Sequence, residues 1–377
     1  MIISSQFDSG NIEVIRALSP DDIRLSIRKD NQSDFYQWFH FKLHSTPFVS
    51  HRICIQDLAK SAYPDGWQGY EALASYDRDE WFRVDTSFDG DQLTIEFTPE
   101  HDLVYFAYFA PYSYERHQDL LARAQQSFDC RLHHLGLTLD GNDMSLLVVG
   151  DDSPEHNKRK IWITARQHPG ETMAEWCVEG LLSRLLDEDD GVARQLLQEC
   201  VFYIVPNMNP DGSIRGHLRT NAAGVNLNRE WQTPSMEKSP EVFLVLGKMR
   251  ELGCDMYLDV HGDEALPYNF VAGSEGNPNY DQRIAELENE FKRALMQTTP
   301  EFQDEFGYPK DAPGEANLTV ASNAVGHEFA CLSYTLEMPF KDNANLPDPA
   351  YGWSPVRCQQ LGEDLLVAIR AVVPNLR

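Results

Sequence analysis

From about residue 145 to the end, this chain alternates short apolar runs with longer amphipathic segments, and few folds accommodate that texture. SLLVVG, IWITAR, VFYIVPN, DMYLDVH and LSYTLEM are too short for helices and rich in β-branched residues, so they read as strands buried on both faces. Strands separated by helix-length segments are joined by crossovers, and the result is α/β: a mixed, mostly parallel sheet with covering helices. The spacing predicts helices over 171–186, 237–252, 280–295 and 355–372.

The first 110 residues or so have a different period. Aromatic and β-branched residues alternate in short runs broken by turn signals, as in RLSIRKDNQSDFYQWFHFKL and in FRVDTSFDGDQLTIEFTP, which turns at Asp89-Gly90. This patterning predicts an antiparallel β-sandwich domain. LVYFAYFAPYSY is a continuous apolar strand that stops at Pro111, and ERHQDLLARAQQSF after it has helical spacing. The expected division is therefore 1–112 for the sandwich and 113–377 for the α/β domain, which a chain of 377 residues readily accommodates.

Composition narrows the function classes. A formal net charge of -27 repels phosphate, so nucleic acid and anionic membrane surfaces are not expected partners. The 7 cysteines are scattered, with no CxxC pair, so free thiols are expected rather than a disulfide framework or a cysteine-rich metal module. The N-terminus lacks a basic segment followed by an apolar core, and cytoplasmic localisation is the expectation by elimination. Oligomeric state is not encoded in any of these features.

In open α/β sheets ligands bind beyond the carboxyl ends of the strands. HPGE follows IWITAR, NMNPDG follows VFYIVP, HGDE follows DMYLDV, and Glu337 ends LSYTLEM. A catalytic zinc commonly takes two imidazoles and a carboxylate and keeps a position open for water. His168 and Glu171 supply a short-spaced pair, with Pro169 and Gly170 holding the histidine in a turn ahead of the helix, and His261 comes from another strand end. Asp259 is placed to orient an imidazole N–H. An isolated HxxE is usually accidental; its conjunction with His261 and Glu337 makes a constellation.

HPGE at 168–171, NMNPDG at 207–212, GVNLNREW at 224–231, DVHG at 259–262 and SYTLEMPF at 333–340 occur in the order found in the metallocarboxypeptidase family, which this chain resembles. FYQWFHF, SYDRDEWFRV and YFAYFAPYSYERH resemble the N-terminal domain of its cytosolic carboxypeptidase branch, so the likeness spans nearly the whole chain. The resemblance implies one zinc ion per chain held by His168, Glu171 and His261. It implies that Arg219 polarises the scissile carbonyl, that Asn228 and Arg229 grip the terminal carboxylate, and that Glu337 is the general base. The partners implied are the C-terminal tails of peptides or proteins. A planar guanidinium beside an amide suits recognition of a carboxylate, although a lone arginine is more often an ordinary surface ion pair.

Tyr308 and Tyr268 are the candidates for a substrate-capping tyrosine. The branch tends to remove acidic residues, which needs a cation in the side-chain pocket. Lys310, in a loop, is the candidate, with Arg215, His217 and Arg219 clustered in another loop, whereas Arg283, Lys292 and Arg293 are expected on a solvent-facing helix. Two rival readings remain: a zinc deacylase of N-acyl amino acids of the aspartoacylase type, and an inactive binder of peptide tails or glycans. The upstream β-domain and SYTLEMPF argue against the first, and the intact ligand set with Glu337 argues against the second.

Overall fold

The computed structural model describes residues 1–377. Its N-terminal part is built of two facing five-stranded sheets. One runs Ile2–Ser4, His40–His44, Leu103–Ala107, Leu73–Ser75, Phe82–Arg83, antiparallel throughout. The other runs Glu13–Ser19, Asp22–Ser26, His51–Ile55, Leu93–Phe97, Thr86–Phe88. Alternate residues point inward as a two-residue period requires: Ile23 and Leu25, Ile53 and Ile55, and Leu93 and Ile95 are buried in the same core as Phe41, Val104 and Phe106.

The expected hairpin is present. Thr86–Phe88 pairs with Leu93–Phe97, Gly90 takes φ +106°, and the Asp89 carboxylate accepts from the Asp91 and Gln92 amides. The sandwich departs from an antiparallel pattern at one place, where Asp22–Ser26 runs parallel to His51–Ile55. Between these two strands the chain crosses to the other sheet to form His40–His44, and a strand that returns after such an excursion can pair in parallel.

The larger sheet has seven strands in the order Cys130–Leu137, Asp143–Val149, Cys200–Val205, Arg159–Ala165, Met256–Val260, Leu332–Glu337, Phe270–Ala272. Its four central strands are parallel and its flanks antiparallel. From Arg159–Ala165 the chain passes first to Cys200–Val205 on one side and then to Met256–Val260 on the other. The strand order therefore reverses at the end of Arg159–Ala165, which is where a crevice opens in such sheets.

The four expected helices form as Met173–Leu185, Pro240–Leu252, Gln282–Thr298 and Pro355–Val372. Three start two or three residues later than the apolar spacing indicates, because caps decide the start: Asp281 accepts from the Ile284 amide, and Pro240 takes the first helical position. Gly191–Glu199, Pro210–Arg215 and Ala321–Phe329 are additional helices of 9, 6 and 9 residues, too short for apolar spacing to mark them as helices. Met173–Leu185 and Pro355–Val372 approach so closely that a Cβ on Gly180 would lie 2.0 Å from the Gln359 carbonyl oxygen.

The core is continuous between the two parts. Tyr108 stacks on Phe340 with ring centroids 4.7 Å apart, and the Arg83 guanidinium donates to the Phe340 carbonyl at 2.8 Å. All 7 cysteines are free. No helix is long and apolar enough to cross a membrane.

Candidate metal centre and substrate cavity

The turn after Arg159–Ala165 is held open by a buried cation. Arg166 adopts φ +59°, a left-handed conformation that costs a non-glycine residue about 1–2 kcal/mol. Its guanidinium offsets the strain by donating to the Tyr112 and Pro169 carbonyls and to Glu175, at 2.8–3.0 Å. Glu175 also accepts from Asn207 and bonds to His117, so the whole turn rests on an inward-facing polar network. His168 is delivered by this turn and Glu171 lies at the entrance to the helix behind it.

His168, Glu171 and His261 come together with one ligand atom each, all within 4.8 Å of one another, and all three residues are buried. The Nδ1 atoms of His168 and His261 each lie 2.6 Å from a different oxygen of Glu171. Their Nε2 atoms are committed elsewhere. His168 Nε2 faces Asn226 Oδ1 at 3.0 Å, and that oxygen already accepts from the Asn228 amide, so the imidazole must donate. His261 Nε2 faces the Asp259 carboxylate at 2.8 Å and donates as well.

The neutral His168 ring therefore turns a lone pair toward a carboxylate oxygen at 2.6 Å, a pair of acceptors that a cation between them would reconcile. Burial would lower the His261 pKa, but Asp259 and Glu171 outweigh it and hold it well above the usual imidazole value, so that ring's proton toward Glu171 occupies the place a cation would take. Burial, with Arg219 adding to it, pushes the His168 pKa down to about 4, which keeps its ring neutral. Burial would raise the Glu171 carboxyl, but His168 and His261 outweigh it and hold the group below the usual carboxylate range. The donor set and its tautomers fit a zinc ion. Asp259 is in turn held by Thr164 at 2.8 Å and by Gln167, whose Oε1 accepts from Trp231 at 2.8 Å.

These three residues line a cavity of about 510 Å³ that also takes in Arg219, Asn228, Arg229, Tyr308, Lys310 and Glu337. The three candidate ligands thus share one space with these candidates for catalysis and substrate contact. Glu337 is 6% exposed, and its Oε2 has no hydrogen-bond partner. Burial pushes its pKa well above the carboxylate range; His261 opposes that, and the charges of Glu171, Asp263 and Glu264 reinforce it. Asn228 accepts from the Ala321 amide at 2.8 Å through Oδ1. Neither Arg219 nor Arg229 has a carboxylate partner; the Arg229 guanidinium donates to the Asn228 carbonyl at 2.6 Å.

The structure corrects four expectations. Arg215 turns away to pair with Asp140 at 2.7 Å, and His217 bonds to the Asn31 amide and the Thr220 carbonyl, so of that loop's cluster only Arg219 enters the cavity. Lys292 does not face solvent. It is 5% exposed, lines the cavity and pairs with Glu288 at 3.0 Å and Asp304 at 2.9 Å, because Gln282–Thr298 packs its cavity-facing stripe inward. Tyr268 does not line the cavity and stacks on Phe306, which does, leaving Tyr308, whose hydroxyl donates to Asp263 at 2.6 Å. NMNPDG lies at its strand end, but its side chains serve the scaffold: Asn209 caps Pro210–Arg215 and Asp211 accepts from Thr138 and Asn142.

Tyr63 and Glu264 line the cavity and were not singled out from the sequence. Tyr63 belongs to the N-terminal sandwich, where nothing in local spacing points to a distant cleft. Glu264 stands directly after the HGD turn, and its place in HGDE was the available signal.

The zinc carboxypeptidase family model matches residues 117–359, and the model of the cytosolic carboxypeptidase N-terminal domain matches residues 3–109. The chain belongs to the zinc carboxypeptidase family. A metallo-carboxypeptidase from Burkholderia cenocepacia is 50% identical over 99% of both chains, with a TM-score of 0.96. One from Pseudomonas aeruginosa, solved in complex with (2-guanidinoethylmercapto)succinic acid, is 48% identical over the full length of both, also at 0.96. Human cytosolic carboxypeptidase 1 is 29% identical over 72% of this chain, which spans only 26% of that protein's length. Membership in this family of zinc carboxypeptidases sets aside the deacylase and the inactive binder.

Proposed function

We propose that the chain removes single residues from the C-terminal ends of peptides or proteins, using one zinc ion per chain bound by His168, Glu171 and His261. In this reading residues 1–112 form the sandwich domain and 113–377 the catalytic domain. The observation that carries it is the joining, in one cavity, of a buried cluster of two imidazoles and a carboxylate to two arginines without carboxylate partners. Such guanidiniums await an anion, and beside a hydrolytic metal that anion is a chain-terminal carboxylate.

Zinc in this cluster supplies Lewis acidity and lowers the pKa of a water it binds. Glu337, its raised pKa lowered by the charge of a bound zinc, is then a carboxylate. In that form it takes the proton from the attacking water and returns it to the leaving amine, a role its unpartnered, buried oxygen leaves it free to perform. Arg219 stabilises charge developing on the scissile carbonyl. Arg229 and the Asn228 amide hold the terminal carboxylate, and Tyr308 with Lys310 borders the terminal side chain. Arg229→Ala is expected to raise KM for a free-carboxylate peptide by ~10-fold to 100-fold while changing hydrolysis of its C-terminally amidated form little, since charged hydrogen bonds contribute about 1.5–3 kcal/mol. Equal losses on the two peptides would make Arg229 structural.

For the terminal residue, glutamate or aspartate is the proposed preference. Lys310 is the cavity cation with ammonium exposed enough to meet a substrate, its side chain 69% exposed, although it already pairs with Glu275 at 2.7 Å. Lys292 is saturated by two acids and buried. A second reading, a basic terminal residue, is favoured by the guanidino group in the ligand of the Pseudomonas neighbour and by the presence of Glu275 and Asp304 in the cavity lining. Specificity constants for peptides ending in Glu, Asp, Leu and Lys decide between them: preference for Glu and Asp, diminished in Lys310→Ala, supports the first, and preference for Lys overturns it.

A further inference from the structure

We propose that the N-terminal sandwich is a working part of the active site, its Asp30, Phe35 and Tyr63 acting as positioning residues for Arg219. The inference rests on the role proposed above for Arg219.

Asp30 is 3% exposed and reaches from the sandwich into the loop that carries Arg219. Its Oδ1 accepts from the Leu218 amide at 2.7 Å, and its Oδ2 accepts from the Arg219 amide at 2.8 Å, the Thr220 amide at 2.9 Å and the Thr220 hydroxyl at 3.1 Å. No cation is hydrogen-bonded to this carboxylate, so the backbone of 218–220 is itself the cradle for the charge. Burying an ion costs several kcal/mol unless it is so satisfied, and the arrangement commits that carboxylate to fixing three successive residues.

The guanidinium of Arg219 is held by aromatic faces instead of hydrogen bonds. Its Cζ lies 5.6 Å from the ring of Phe35 and 5.4 Å from the ring of Tyr63, both in the sandwich. Tyr63 is itself fixed: the fully buried amide of Gln37 accepts from its N–H at 2.8 Å and donates to its carbonyl at 3.0 Å. The α/β domain offers the Arg219 side chain no hydrogen bond of comparable kind. Its long stem is flexible, and a displacement of ~1 Å in such a group can cost ~10²-fold in rate.

A purely structural role for Asp30, tying the two domains together, predicts a different pattern from a role exercised through Arg219. A double-mutant cycle of Asp30→Asn and Arg219→Ala, on the full zinc-loaded chain well below its unfolding temperature, separates them. Arg219→Ala alone is expected to lower kcat by ~10²-fold to 10³-fold, as removal of an oxyanion donor does. Asp30→Asn alone is expected to lower kcat by ~10-fold or more with KM changed less than ~2-fold, because Arg219 acts in the transition state. In the Arg219→Ala background Asp30→Asn should then cost less than ~2-fold, the signature of two residues acting as one unit. Equal losses in both backgrounds overturn the proposal. Near-normal kcat in Arg219→Ala overturns the underlying reading of Arg219, and the proposal with it. If Asp30→Asn does not fold, Phe35→Leu in the same cycle discriminates in the same way, since it loosens the guanidinium while leaving the carboxylate cradle intact.

Discussion

Glu337→Gln is expected to keep its fold and its zinc and to lose ~10³-fold to 10⁴-fold in kcat, the upper range for a single general acid–base group. The amide matches the carboxylate in volume, so no cavity opens at the end of Leu332–Glu337, but it cannot accept a proton from water. The same substitution should raise the thermal midpoint of the metal-free protein. Burial and the like charges of Glu171, Asp263 and Glu264 raise the Glu337 pKa, so near neutral pH folding costs either a buried charge or the uptake of a proton, and the neutral amide avoids both. Steady-state kinetics, metal analysis and a thermal melt check all three. Turnover close to that of the unaltered chain would take the base role from Glu337.

Removing a ligand should have a comparably large effect by a different route. His261→Ala is expected to lose zinc on dialysis and activity with it, because two donors cannot replace three and the Glu171 carboxylate loses one of the imidazoles flanking it. Asp259→Asn should be milder, weakening metal affinity by ~10-fold to 100-fold, as changes to the partners of metal ligands do. Asp259 touches His261 through Nε2 and fixes which nitrogen faces the centre; an amide can still accept that hydrogen bond, with less charge. The graded order His261→Ala below Asp259→Asn below the unaltered chain is the result to look for in metal content. Full zinc occupancy in His261→Ala would show that the ligand set is misassigned.

The sheet was legible because its strands are buried on both faces and so carry unbroken apolar runs, as in IWITAR and VFYIVP. Their carboxyl ends followed, and with them His168, Glu171, His261 and Glu337. Lys292 escapes sequence reasoning because helical spacing tells which residues share a face but not that the face borders a cleft, and its partner Asp304 lies in a loop beyond the helix. Arg215 and His217 group with Arg219 by sequence proximity, yet successive polar residues in a short helix and turn point in different directions. Asp30 and Tyr63 were invisible for a simpler reason. Their significance depends on contacts between distant parts of the chain, 188 residues apart for Asp30 with Leu218, which no local pattern records.

Hydrolysis of one residue at a time from a free C-terminus is the central claim. The most direct measurement is a mass-spectrometric time course of zinc-loaded protein with two peptides of one sequence, one ending in a free carboxylate and one in an amide. The expected result is successive shortening of the free peptide by single C-terminal residues, abolished by chelation and restored by zinc, with the amidated peptide largely intact. Internal cleavage, equal processing of both peptides, or loss of an N-acyl group without shortening would contradict it.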